Sequence, residues 1–579
     1  MKKLMKYFKG YRKEGIIAPL FKMLEACFEL FVPVVTARII DHGIKDQDIH
    51  YIWGQCILLI FLGIVGLICS LTAQYYAAKT GMGFGANVRW ALYHHINSFD
   101  YQKLDLAGTS TLVTRLTSDV NQLQSGVNMF LRLFMRSPII VTGAVIMSFA
   151  ISPKLATIFL IAMVLIGLAT FLIIRFTIAA YKKVQGFLDA VVLHTRENYK
   201  GVRVVRAFAR EKEEQEVFED TSKSLSRMQI VAGRISGLLN PLTYTISNLG
   251  IVALLYFGGL EVNTGNLSQG EIVALTNYMT QISLALLVFA NLVISVTKAI
   301  ASATRVNEIF AIRPTMQEGE ISVDKQEEKE EILRFDKVSF SYEKSPEQVL
   351  CAMNFHMNRG ETLGIIGGTG QGKTTLVNLI PRFYEATEGN ILINGRNIKD
   401  YTYESLRGMI GIAPQKSILF SGTIRDNMKW RKEDAGDEEI MEALKTAQAL
   451  EIIETKESGL DTLVMAGGTN FSGGQRQRLC IARALVGNPL LLILDDSASA
   501  LDLETDARLR LALKTSRKNK STIVVSQRVA TVKDADRILV LDEGHIAGIG
   551  THHELLKNNE VYREICLSQY SREEVERYG

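Results

Sequence analysis

The sequence predicts two unlike halves. The first is an α-helical membrane domain of about six spans with long cytoplasmic extensions, and the second is an α/β domain built on one glycine-rich loop. Three observations predict this. Hydrophobic residues make up 47% of the 579 residues and mean hydropathy is positive, which is high for a soluble chain. The excess is concentrated in stretches near the ~20 residues that a bilayer-crossing helix needs. Beyond residue 331 strand alternation takes over, and Gly367-Gly368-Thr369-Gly370-Gln371-Gly372-Lys373-Thr374 matches the phosphate-loop pattern G-x-x-x-x-G-K-[ST] at every fixed position.

The leader Met1–Lys13 is basic and faintly amphipathic and has no small-residue cleavage site after its first apolar run. It reads as a cytoplasmic, interface-lying segment rather than a cleaved signal. Apolar stretches follow at about 15–40, 53–78, 129–151, 155–179, 241–263 and 273–297. With the basic leader inside, an even number of spans returns the chain to the cytoplasm, placing both termini and the second half there. The connections at 41–52, 152–154 and 264–272 are short and poor in cations, as outside loops are. Those at 79–128 and 180–240 keep helical periodicity, and the second is dense in charge, so both suit helices that continue past the membrane into the cytosol.

Glu25 and Glu29 lie one turn apart on the first span and project from one face. Intramembrane carboxylates suggest a cavity for cationic cargo, the plainer alternative being pairing with Lys22 near the interface. Pro33 is expected to kink this helix. The formal net charge is +4, and the six cysteines, without C-x-x-C spacing, read as reduced thiols rather than a disulfide or zinc framework.

Residues 1–312 thus form the membrane domain. An acidic linker, 313–331 with Glu318, Glu320, Asp324, Glu327, Glu328, Glu330 and Glu331, leads to a second domain at 332–579. Strand alternation at 333–342 opens it. Glu361–Ile366 reads as a strand before the phosphate loop and Thr375–Ile380 as a helix after it. In that setting Gly367, Gly368, Thr369, Gly370, Gln371 and Gly372 wrap a polyphosphate with inward N–H groups, aided by the helix dipole. Lys373 reaches the β- and γ-phosphates, Thr374 ligates Mg²⁺, and Thr375 is counted with the nucleotide contacts. The chain is expected to bind a nucleoside triphosphate.

A six-span domain ahead of a phosphate-loop domain that contains Leu-Phe-Ser-Gly-Thr-Ile-Arg-Asp-Asn (419–427) and Phe-Ser-Gly-Gly-Gln-Arg-Gln-Arg (471–478) resembles an ABC exporter half-transporter over nearly the whole chain. The resemblance implies ATP and Mg²⁺ as cofactors and a second half-transporter as partner. It assigns Tyr342 to stack on adenine and Gln415 to touch Mg²⁺ and sense the membrane domain. Asp495, closing the Walker B strand Leu491–Asp495, holds Mg²⁺ through water, and Ser499-Ala500-Leu501-Asp502 crosses to the partner. Ser472, Gly473, Gly474 and Gln475 form the signature that acts on the partner's ATP, and the segments around 112–120 and 203–211 resemble the coupling helices.

The chain departs from the family pattern in three places. Asp496 stands where the catalytic glutamate is expected, Gln527 where the switch histidine is expected, and Met465–Asn470 lacks the usual glutamate before the signature. A carboxylate one methylene shorter withdraws its oxygens by about 1 Å, a misplacement that costs on the order of a hundredfold. A neutral amide also offers less charge stabilisation than imidazole. The chain's own site is therefore expected to bind ATP but hydrolyse it poorly, and the double change resembles the degenerate-site subunit of bacterial heterodimeric multidrug exporters. The implied activity is ATP-driven efflux of amphipathic or drug-like compounds across the plasma membrane, by a translocase embedded in the bilayer. Alternatives are a homodimeric exporter of lipid or peptide and a non-pumping ATP-gated membrane protein. A soluble chromosome-maintenance ATPase would lack the spans, and nucleic acid is not among the expected partners. Apolar spans alone do not name the cargo.

Overall fold

The computed structural model describes residues 2–322, 329–343, 347–516 and 520–578. Asp324, Glu327 and Glu328 of the expected linker lie outside them. The chain divides into two compact units, Met1–Asn97 with Thr109–Ile312, and Ser98–Gly108 with Arg313–Gly579.

The first half of the chain is helical: α1 (Arg12–Arg38), α2 (Ile49–Asn97), α3 (Tyr101–Ala107), α4 (Thr109–Thr114), α5 (Val120–Leu133), α6 (Arg136–Ile151), α7 (Pro153–Ala207), α8 (Glu211–Gly237), α9 (Leu239–Asn263) and α10 (Gln269–Ala311). Among the described residues five helical runs are long and apolar enough to cross a membrane: Ile49–Asn97, Thr109–Ile151, Pro153–Ala207, Glu211–Asn263 and Gln269–Ala311. They contain five of the six expected stretches. The remaining one lies on α1, whose middle carries Lys22, Glu25 and Glu29 and is the most charged of the six. At 55 residues α7 is roughly 80 Å long, well over the ~30 Å hydrocarbon core, so much of it must extend into water.

The ends and crossings of these helices follow from local chemistry. Ser152 caps α7 with Pro153 in its first turn. The turn after α7 passes through Ala209 at φ 53, and Glu211, Glu213 and Glu214 meet the positive end of α8. Ser268 and Glu271 form a capping box on α10. Gly126 is needed where α5 crosses α10, since a Cβ there would lie 2.3 Å from the Cβ of Ala299. The packed interior gathers Phe159, Leu275, Tyr278 and Met279, and the Tyr278 hydroxyl donates to the Leu30 carbonyl at 2.7 Å.

Glu25 and Glu29 are both paired. Lys22 donates to Glu25 at 2.6 Å, as the plainer alternative had it, and Arg136 of α6 donates to Glu29 at 2.8 Å. Deeper in the same unit the buried Asp119 accepts from Arg115 at 2.9 Å, Ser302 at 2.9 Å and Arg305. This ties the π-helical turn Arg115–Asp119 to α10.

The segment around 112–120, expected as the first coupling segment, lies in the first unit. Those residues run along α4, the π turn and α5 within the first unit, whereas the preceding Ser98–Gly108 belongs with the second. Asp100 caps α3 through the Lys103 N–H at 2.8 Å and binds Thr315 Oγ1 at 2.7 Å, and Gly108 ends the helix at φ 74. The Tyr101 ring stacks on Phe383 at 4.5 Å. This short capped helix, with its aromatic ring, belongs with the second unit.

In the second unit β1 (Glu331–Phe340) pairs antiparallel with β2 (Leu350–Asn358) and β4 (Glu388–Ile393), and β5 (Arg396–Asn397) completes that sheet. A second sheet sets β3 (Thr362–Ile366), β6 (Ile410–Ala413), β9 (Leu491–Asp495), β10 (Ser521–Val525) and β11 (Arg537–Asp542) parallel, in the order β12-β11-β3-β10-β9-β6, with β12 (His545–Gly550) antiparallel at its edge. A short ribbon joins β7 (Gly422–Thr423) to β8 (Leu463–Val464). β9 and β10 are buried along their whole length, as the apolar run Leu491–Leu494 requires of strands covered on both faces. Because Ile365 and Asp495 both pair with Val525, the loops leaving β3, β9 and β10 emerge at one edge. Open parallel sheets bind ligands at that edge.

Candidate nucleotide site

Helix α11 (Lys373–Leu379) begins directly after β3 and the glycine-rich loop. Gly370 and Gly372 have φ 85 and 88, a backbone that residues with a Cβ rarely adopt. At Gly367 the constraint is space, since a Cβ would lie 2.4 Å from the Leu541 carbonyl oxygen. The Lys373 ammonium donates to the carbonyls of Gly367 at 2.8 Å and Gly368 at 2.5 Å. The loop therefore holds its own cation at its centre.

Thr369, Gly370, Gln371, Gly372, Lys373, Thr374 and Thr375 line a cavity of about 390 Å³, with Tyr342, Gln415, Asp495, Asp496 and Gln527 around it. All of the expected nucleotide and metal contacts except Gly367 and Gly368 thus share one cavity, and those two contribute carbonyls to Lys373. The Thr374 hydroxyl donates to Asp495 at 3.2 Å, and Gln415 Nε2 donates to Asp496 at 3.3 Å. Thr369 Oγ1 donates to the Gln527 side-chain oxygen at 3.4 Å, and the hydroxyls of Tyr342 and Thr375 meet at 2.9 Å. A hydroxyl, an amide and two carboxylates converging beside a phosphate loop are hard oxygen donors of the kind Mg²⁺ takes with a polyphosphate. The residues fit both cofactors.

Burial governs the site's electrostatics. It pushes Asp495 up to about 6, opposed by the Thr374 hydrogen bond, and Asp496 upward against the Gln415 hydrogen bond. It also lowers Lys373, which the neighbouring Asp496 and Asp495 partly offset. Opposite charge, as a metal–triphosphate complex would supply, shifts each group back toward its ordinary range.

Ser472, Gly473, Gly474 and Gln475 do not line this cavity. Ser472 caps helix α12 (Gly473–Leu485), accepting from the Gln475 N–H at 3.3 Å while its own N–H donates to Gln475 Oε1 at 3.0 Å. A Cβ on Gly474 would lie 3.3 Å from the Ala500 carbonyl, so the signature packs on the Ser499–Asp502 loop. Ser472 and Gly473 themselves are exposed. Sequence reasoning missed Val349, Val525 and Tyr384 around the nucleotide side, and only the adjacent aromatics Phe383-Tyr384 hinted at the last.

Residues 16–286 match the ABC transporter transmembrane region family and residues 350–499 the ABC transporter family. YfiB of Bacillus subtilis, an uncharacterised ABC transporter ATP-binding protein, is 35% identical over 574 residues, covering 99% of each chain. The chain belongs to the ABC transporter family. This transporter is also 29% identical to the ATP-dependent lipid A-core flippase of Syntrophus aciditrophicus over 577 residues, 99% of this chain and 95% of that one. It is 31% identical to YgaD of B. subtilis, named as a multidrug export ATP-binding/permease protein, over 98% of this chain and 99% of that one. A solved structure of a bacterial Atm1-family ABC exporter with ATP bound superposes with a TM-score of 0.80 at 23% identity, covering 97% of this chain and 99% of that one. The transporter is a half-transporter with membrane and ATPase domains fused in one chain, in the Atm1-type exporter fold, and a multi-pass membrane protein.

Proposed function

We propose that this transporter exports amphipathic or drug-like compounds across the plasma membrane by alternating access, as one half of a heterodimer whose own ATP site binds nucleotide and hydrolyses it slowly. In this reading six helices cross the bilayer, α1 among them with Lys22, Glu25 and Glu29 paired, and both termini and the ATPase domain are cytoplasmic. ATP binding clamps two ATPase domains together, and the signature Ser472-Gly473-Gly474-Gln475 completes the partner's site.

The observation that carries the reading is the pair Asp496 and Gln527 lining the same cavity as Thr369–Thr374 of the phosphate loop. Binding groups are all present, while the base is a methylene short and the switch position has no imidazole. Export of drug-like compounds is supported by the name of YgaD. A second reading, a homodimeric exporter of lipid, is favoured by the flippase at comparable identity.

Steady-state ATPase rates separate the two. Purified alone, the chain is expected to turn over slowly, and co-expression with a second half-transporter carrying Glu and His at the two positions raises the rate at least about tenfold, a barrier change of about 1.4 kcal/mol. A homodimer of full activity would overturn the heterodimeric reading.

A further inference from the structure

We infer that Tyr384 and Asp105 are positioning residues for the adenine side of the ATP site, relaying the place of helix α3 to the ring of Tyr342. The inference rests on the reading of Tyr342 as the adenine-stacking residue.

Tyr342 is fixed at both ends. Its hydroxyl meets Thr375 Oγ1 at 2.9 Å beside the phosphate loop, and its ring stands edge-on to Phe340 at 4.8 Å and to Tyr384 at 5.4 Å. Tyr384 is in turn buried, so its hydroxyl needs a partner. That partner is Asp105, which accepts from it at 2.7 Å, a charge-assisted bond. Asp105 belongs to α3, not to the sequence neighbourhood of the phosphate loop.

A second contact holds the same place. Lys103 of α3 pairs with Glu343, the residue after Tyr342, at 2.9 Å. α3 therefore grips both the ring that supports Tyr342 and the backbone that carries it. Because α3 stands in the chain between α2 and α4, whose helical runs are long and apolar enough to cross the membrane, a shift of those helices pulls on α3. The shift reaches Tyr342 through a packed aromatic contact that has little room to yield. By linkage, a base bound against Tyr342 biases the position of α3 to the same extent.

The test is photolabelling of the full-length chain in membranes by tracer 8-azido-ATP, competed with ATP or with inorganic tripolyphosphate, which has no base. Tyr384→Phe and Asp105→Ala are each expected to weaken ATP competition about fivefold, part of the worth of a hydrogen bond to a charged group, and to leave tripolyphosphate within about twofold. The double variant should be no weaker than either single one. Asp105→Asn, whose amide oxygen still accepts the hydroxyl, should remain close to wild type.

Equal weakening of ATP and tripolyphosphate, or multiplicative effects in the double variant, would overturn the relay. Tyr342→Ala separates the relay from the reading beneath it. If that change lowers ATP competition selectively while Tyr384→Phe does not, the relay alone fails. If it leaves the ratio of the two competitors unchanged, the adenine assignment of Tyr342 fails as well.

Discussion

Gln415 donates from Nε2 to Oδ2 of Asp496 at 3.3 Å, joining two residues 81 positions apart. The carboxylate that stands where a general base is expected is thus engaged by the amide of the loop expected to sense the membrane domain. Burial also holds that carboxylate above its ordinary range, with this hydrogen bond opposing the shift. A base so placed is short and hydrogen-bonded to the Gln415 amide.

Asp496→Asn is accordingly expected to change the steady-state ATPase rate of the co-purified complex by less than about twofold. Ser472→Ala or Gly474→Asp, by contrast, should nearly abolish it, because an aspartate there adds bulk and negative charge beside a polyanion. Lys373→Ala should fall between them, weakening nucleotide retention. Equal losses for Asp496→Asn and Ser472→Ala would make this chain's own site a principal hydrolytic one.

The reverse experiment restores the missing groups. Asp496→Glu combined with Gln527→His should raise the ATPase rate of the chain purified alone at least about tenfold. The backbone at 496 has φ 46, which aspartate tolerates better than glutamate, so the double variant should also melt somewhat lower. An unchanged rate would mean that something other than these two side chains limits hydrolysis.

Asp495 makes nucleotide-free stability depend on pH in a defined direction. Its pKa rises from 3.8 to about 6 on burial, so the stability linked to it is fully present below about 3.8 and is lost as pH rises through about 6. Asp495→Asn removes the charge and should raise the melting temperature at pH 7.5 without Mg²⁺ or nucleotide. The gain corresponds to about 3 kcal/mol and should shrink steadily between pH 6 and pH 4. A pH-independent gain would show that the carboxylate is not the titrating group.

Asp119→Ala should be among the most damaging changes in the membrane domain. It leaves Arg115, Ser302 and Arg305 without their shared acceptor, and since the two guanidinium groups reach solvent the cost is about 1–3 kcal/mol. Size-exclusion chromatography of the detergent-solubilised variant should show mostly aggregate, while Arg115→Ala, which leaves the Arg305 and Ser302 contacts in place, should behave close to wild type.

The phosphate loop, the Walker B strand, the signature and the apolar spans were legible because each is a contiguous run whose chemistry is written in local spacing. Glycines at left-handed positions, a lysine after them, and an apolar strand ending in aspartate leave few other folds open. The two substituted positions, Asp496 and Gln527, could be read in the same way. What only the tertiary structure decided is which distant residues meet. Arg136 rather than Lys22 takes Glu29, the residues at 101–107 rather than 112–120 join the second unit, and Tyr384 supports Tyr342 with its hydroxyl on Asp105. These pairings depend on how helices and strands pack across tens to hundreds of residues, and no periodicity within a single segment encodes the partner that packing will bring to it.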